Sequence, residues 1–136
     1  MKIVFDTNVL ISGFLTTSGP AQHVLNRALK GHEVILSDYI LEEYQNKLTR
    51  KLGFPGELIE QAVHFLKLRA TIVAVPRGIK IEFSDRKDVP ILTLIQIAKP
   101  HYFVTGDKRL LSLKKLGPTL FLSPREAMEM IWDRLR

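Results

Sequence analysis

Cysteine is absent from the 136-residue chain. Disulfides and thiolate metal sites are thereby excluded, and any bound ion must be held by carboxylates, imidazoles or backbone oxygens, a donor set that favours hard cations. No apolar run approaches the ~20 residues that a spanning helix needs. No early stretch combines a basic start, an apolar core and a small-residue cleavage site. The expectation is a soluble, unexported, cytoplasmic protein with no membrane partner. Repeats, low-complexity tracts and Gly/Ser linkers are also missing, so one domain over residues 1–136 is expected. Aromatic residues make up only 8% of the chain. No exposed series of them accompanies the basic positions, so Trp132 and the phenylalanines read as core or interface residues rather than base-stacking platforms. His23, His32, His64 and His101 are scattered without a ligand-like pairing and read as structural or solvated.

What is present is a composition of 46% hydrophobic and 25% charged residues, enough to build a core. The formal charge of +6, from 20 Lys and Arg against 14 Asp and Glu, suits an anionic partner such as nucleic acid. A solubilising surface would give the same charge. The excess gains meaning only if an acidic catalytic cluster must attract a polyanion.

Short strand-like runs alternate with helical patterns, which points to an α/β fold. Lys2-Ile3-Val4-Phe5 is a β-branched and aromatic run stopped by Asp6-Thr7-Asn8, residues that favour turns and helix caps. After a loop around Ser18-Gly19, Pro20 suits a first helical turn. Ala21, Val24, Leu25, Ala28 and Leu29 then keep helical spacing until Gly31. Glu33–Leu36 reads as a second strand. Ser37 is placed to cap a helix with apolar face Ile40, Leu41, Tyr44 and Leu48, which puts Glu43 in its second turn. Residues 57–69 form a further amphipathic helix, and Thr71–Val75 a third strand ended by Pro76. The stretch from Arg77 to Lys87 reads as a loop, although Ile79, Ile81 and Phe83 alternate as an edge strand would. Asp88 opens an apolar helical run from Ile91 to Ala98, with Pro90 tolerable in its first turn. Tyr102–Thr105 is a fourth strand, followed by Gly106-Asp107 and a short helix with Leu110 and Leu111. Thr119–Leu122 is a fifth, and Ser123-Pro124-Arg125-Glu126 is a capping box that opens the last helix.

Strands joined by helices are almost always parallel, so their carboxyl ends gather at one edge of the sheet. Asp6 and Asp107 both stand at such ends. If the first and fourth strands flank the point where strand order reverses, their Cα atoms lie roughly 5 Å apart at the place where such sheets bind ligands. Asp88 joins them if its preceding loop returns to that edge, and Glu43 lies near the N-terminus of the helix after the second strand. Clustered carboxylates repel one another and raise each other's pKa values unless a divalent ion neutralises them. Oxygen ligands suit Mg²⁺ or Mn²⁺, which can activate a water for attack on a phosphodiester.

These residues carry a resemblance. Val4-Phe5-Asp6-Thr7-Asn8-Val9-Leu10, a helix-borne Glu43, Asp85-Arg86-Lys87-Asp88 and Val104-Thr105-Gly106-Asp107 resemble, in order, the motifs of the PIN-domain family, over essentially the whole chain. Its nearest likeness is to the prokaryotic PIN proteins described as toxin components of toxin-antitoxin systems. The resemblance implies a three-layer α/β/α sandwich on a parallel sheet of about five strands. It also implies an Mg²⁺- or Mn²⁺-dependent endoribonuclease, an antitoxin partner and a homodimer. Asp6, Glu43, Asp88 and Asp107 would be the catalytic and metal-binding set. Asn8 would support the first Asp, and Thr105 would hydrogen-bond within the site. The family's Ser-to-Glu spacing, counted from Ser37, selects Glu43 over Glu42. The helix-start position selects Asp88 over Asp85 and leaves Asp85 as a supporting or second-metal residue.

Simpler roles stand beside these. Asp6 and Asp88 suit helix capping, and an exposed helical Glu is usually solvated. Arg86, Lys87, Lys108 and Arg109 flank the proposed ligands and could receive an RNA backbone, whereas Lys114 and Lys115 read as ordinary surface lysines. Two other functions compete. An aspartyl-phosphate phosphatase would use Asp6 as nucleophile, but it wants a second Asp where this chain has Asn8. A non-catalytic RNA-binding module on the same fold would not need the intact acidic positions.

Overall fold

The computed structural model describes residues 1–76 and 88–134, with side chains as far as Ile131. Strand β1 (Lys2–Phe5) leads into α1 (Thr7–Leu15) and α2 (Pro20–Gly31). Next come β2 (Glu33–Ser37), α3 (Asp38–Asn46), a π-helical turn (Lys47–Lys51), α4 (Gly56–Arg69) and β3 (Ala70–Val73). The remainder is α5 (Val89–Ala98), β4 (Tyr102–Val104), α6 (Lys108–Leu111), β5 (Lys115–Leu116), β6 (Thr119–Leu122) and α7 (Pro124–Arg134). Ile79, Ile81 and Phe83 lie outside the described residues.

The sheet has six strands in the order β3-β2-β1-β4-β6-β5. Every neighbouring pair is parallel except β5 with β6. Strand order therefore reverses between β1 and β4, as a ligand-binding switch point requires. Right-handed crossovers place the helices after β1 and β2 on one face and α5 on the other, the layering of an α/β/α sandwich. The five parallel strands are those anticipated. The sixth, β5, is an added antiparallel edge whose tight turn uses Gly117 at φ 55, a conformation glycine adopts without Cβ strain.

Burial explains why these runs become strands. Ile3, Val4 and Phe5 are fully buried, as are Phe103 and Val104 beside them, because a central parallel strand is covered on both faces. Each such side chain contributes about 1.5–3 kcal/mol on leaving water. Phe103 packs edge-on against Phe121 of β6 at 5.0 Å between ring centroids. The expected caps form: Ser37 Oγ accepts the Ile40 N–H at 3.0 Å. Ser123 and Glu126 exchange two side chain to backbone bonds at the start of α7. Helix α1 is an element that apolar periodicity did not delimit, and it begins directly at Asp6. β3 runs one residue earlier than its apolar stretch suggests and stops at Val73, because pairing with β2 sets its ends. Among the described residues no helix is long and apolar enough to cross a membrane.

Candidate active site

The carboxyl edge of β1 and β4 holds the first two acids by a chain of hydrogen bonds. The Asp6 N–H donates to the Val104 carbonyl at 2.9 Å, closing the two strand ends together. Asp6 Oδ1 accepts from the Thr7 N–H at 2.8 Å, capping α1, and Oδ2 accepts from the Thr105 hydroxyl at 2.7 Å. Thr105 is fully buried, and its Oγ1 also accepts the Asp107 N–H at 3.0 Å. One hydroxyl thus ties Asp6 to the backbone of Asp107. Asp107 caps α6, with Oδ1 accepting the Arg109 N–H at 2.8 Å. Asp6 therefore does cap a helix, as its simpler reading has it, and Asp107 caps one too, whereas Asp88, for which capping was also expected, makes no such bond. A cap uses one carboxylate oxygen, and Asp6 is half-buried with its second oxygen bonded to a buried hydroxyl.

The Asp6 carboxyl is pushed above its ordinary range, chiefly by burial, with Glu43 adding in the same direction. The Thr105 and Thr7 hydrogen bonds and the Lys47 ammonium pull the other way. Ionised Asp6 is thus disfavoured mainly by its removal from water. Glu43 projects from α3 close enough for this electrostatic effect, and the structure also reveals Lys47, which sequence reading had not singled out. Lys47 Nζ donates to Asn8 Oδ1 at 2.9 Å and lies 3.8 Å from Glu43 Oε1. The only sequence signal was the i, i+4 spacing of Glu43 and Lys47 on a helix.

On the other side, Asp88 stands at the start of α5 and makes no side-chain capping bond there. The Arg109 guanidinium lies 3.6 Å from Asp88 Oδ2 and 3.6 Å from Asp107 Oδ2. Among the described residues, Asp6 is thus linked electrostatically to Glu43 and by hydrogen bonds to Asp107, and Asp88 to Asp107 through Arg109, with Lys47 beside Glu43. Among the described residues no three carboxylate or imidazole groups already stand as a coordination shell. The donor chemistry nonetheless fits a hard divalent ion. The groups are all oxygens, burial disfavours the uncompensated Asp6 carboxylate, Arg109 takes up the position between Asp88 and Asp107, and Lys47 stands beside Glu43. Lys108 is exposed on the first turn of α6, and Glu42 is exposed where Glu43 is half-buried. Asp85, Arg86 and Lys87 lie outside the described residues.

Known proteins give this geometry a family. A model of the PIN domain matches residues 2–109, a span that includes Asp6, Glu43, Asp88 and Asp107. No curated protein matches the sequence. Among solved structures, VapBC2 from Rickettsia felis bound to a DNA fragment from its promoter is similar at 14% identity and a TM-score of 0.65. The match covers 90% of this chain and 98% of that one, a likeness of fold. With most of its length under the family model and Asp6 and Asp107 joined at the switch point of its sheet, the chain belongs to the PIN-domain family.

Proposed function

We propose that the protein is an Mg²⁺- or Mn²⁺-dependent endoribonuclease, the toxin component of a toxin-antitoxin pair, with Asp6, Glu43, Asp88 and Asp107 as the acids that hold the metal. The observation that carries this reading is the Thr105 hydroxyl, which binds Asp6 Oδ2 while accepting the Asp107 N–H. A buried bridge that fixes two acids at the switch point preorganises a site rather than a surface. A bound divalent ion would supply an activated water and charge stabilisation at phosphorus.

The residues of the chain have their own tasks. Thr105 holds Asp6 in one rotamer. Glu43 and Asp88 approach from separate helices, so the acids can close on a cation without moving the sheet. Arg109 and Lys47, now among the acids, are placed to turn towards phosphate oxygens as a polyanion arrives. Lys108 extends the same basic surround, and Asn8 steadies the Asp6 side through Lys47; by the family resemblance Arg86 and Lys87 would receive RNA backbone and Asp85 would be a supporting acid. The net charge of +6 favours RNA approach to an acidic centre. PIN domains are generally nucleases, and a cytoplasmic location belongs to the same reading.

The antitoxin part of the proposal draws on the similar VapBC2 complex and on a groove of about 360 Å³ between α1, α2 and α4. Leu58 and Phe65 line it and are substantially exposed, which suits burial against a protein partner. A homodimer belongs to the same reading.

The test is cleavage of mixed single-stranded and structured RNAs by wild-type protein and Asp6→Asn, with and without Mg²⁺ or Mn²⁺. Wild-type cleavage that requires metal and falls at least about 100-fold in the variant is expected, a loss typical of removing a transition-state electrostatic group. Undiminished cleavage by Asp6→Asn ends the four-acid assignment.

A further inference from the structure

Arg109 meets Asp107 twice. Its backbone N–H donates to Asp107 Oδ1 at 2.8 Å, and its guanidinium stands 3.6 Å from Oδ2 of the same carboxylate. The same guanidinium nitrogen, Nη2, is also 3.6 Å from Asp88 Oδ2, so it lies equally far from an oxygen of each acid. Resting on the metal-dependent reading above, we propose that Arg109 is a built-in counter-ion that competes with the divalent cation for Asp88 and Asp107, and so lowers the metal affinity of the site.

Space and charge both set the two cations against each other. The cap of α6 engages Asp107 Oδ1, and the guanidinium faces the other oxygen, Oδ2. Asp88 makes no side-chain capping bond at the start of α5, and its Oδ2 faces the same nitrogen. Mg²⁺ approaches its oxygen ligands to roughly 2.0–2.1 Å, and a guanidinium cannot share the ground between these two oxygens with such an ion. Both contacts are ion pairs rather than hydrogen bonds at 3.6 Å. Arg109 is 61% exposed where Asp88 is 14% exposed, so the arginine, not the acid, is the group with room to move. Lys47 is placed differently: its Nζ donates to Asn8 Oδ1 at 2.9 Å, and its ion pair is with Glu43. An arginine stays charged at every pH at which the protein is folded, so an incoming metal has to displace it rather than await its deprotonation. In the metal-free protein the guanidinium offsets the repulsion between Asp88 and Asp107, and the same contact opposes metal binding.

The experiment is Mn²⁺ titration of the full chain at fixed ionic strength, read by electron paramagnetic resonance, for wild type, Arg109→Gln, Arg109→Lys and Lys115→Gln. Lys115, exposed on β5, is the equal-charge control. Every variant keeps the backbone N–H that caps α6. Arg109→Gln should bind Mn²⁺ at least about fivefold more tightly than Lys115→Gln, the lower end of usual coupling between two ligands. Arg109→Lys keeps the charge and should lie nearer to wild type than to Arg109→Gln. The rise in melting temperature between EDTA and excess Mn²⁺ should be larger in Arg109→Gln than in wild type, because tighter binding to the folded state adds stability. An arginine that merely shaped the site would give the opposite sign, weaker Mn²⁺ binding on its removal. If Arg109→Gln binds Mn²⁺ no more tightly than Lys115→Gln, or Arg109→Lys binds as tightly as Arg109→Gln, the competition is wrong. A wild type that binds Mn²⁺ and cleaves RNA, with no tightening in Arg109→Gln, overturns only this inference. If neither wild type nor any variant binds Mn²⁺, the metal-dependent reading falls with it.

Discussion

Thr105 has no charge and no place in a ligand set, yet two acids depend on it. Its hydroxyl donates to Asp6 Oδ2 and accepts the Asp107 N–H, so Thr105→Val keeps the shape and removes both bonds. A loss of about 1–3 kcal/mol is expected, the cost of leaving part-buried polar groups unpaired. Chemical denaturation measures it, and Thr105→Ser should recover most of the difference. Asp6 itself works against stability. Its native carboxyl is raised above the ordinary value of 3.8, with burial as the main cause, so the folded protein holds that proton more tightly than the unfolded chain. Ionisation then costs the native state stability, a cost absent below the unfolded pKa and complete above the raised native one. Asp6→Asn should therefore melt at or above the wild-type temperature at neutral pH, and the gap should close as pH falls towards 3.8; melting curves across that range read it directly. A wild type more stable than the variant at neutral pH would contradict the assigned environment. Asp6 and Asp107 were legible in the sequence because acids at strand ends stand out locally. Lys47 was not, because its partner Asn8 lies 39 residues away. Nor did the sequence say that Arg109, legible as a basic neighbour, sits between Asp88 and Asp107.

The elements that place these side chains differ in how openly they are written. β1, β2, β4 and β6 are dense apolar runs bounded by polar punctuation, so burial and sequence agree. Helix α1 was harder to see. Its start coincides with the Asp6-Thr7-Asn8 motif, and its apolar residues do not form a narrow stripe because α2 and α3 both pack against it. β5 contains only two residues, too few for any period, and exists through its pairing with β6. The α1–α2 contact also explains Gly13, where a Cβ would meet Leu25 Cδ2 at 2.8 Å. Gly13→Val pushes a branched side chain into that contact. It should destabilise the fold by about 1–3 kcal/mol, the usual range for overpacking. A shift in the urea midpoint with unchanged slope is the expected reading. An unshifted midpoint would mean that Leu25 moves aside freely.

At the scale of the whole molecule, a basic protein carries an acidic centre at the carboxyl edge of a parallel sheet. The net charge of +6 would be an unremarkable surface property without that centre; on the proposed ribonuclease reading, the charge pattern would separate the attraction of a polyanion from the place where its phosphodiester meets the acids. The reversal of strand order between β1 and β4 brings Asp6 and Asp107 together. α3 and α5 deliver Glu43 and Asp88 from independent helices. The claim on which everything else rests is that these acids bind a divalent ion, so the most direct test is Mn²⁺ titration followed by electron paramagnetic resonance. The expected result is saturable Mn²⁺ binding by the wild type, lost or strongly weakened in Asp6→Asn and in Asp107→Asn. Equal Mn²⁺ binding by wild type and both variants would contradict it.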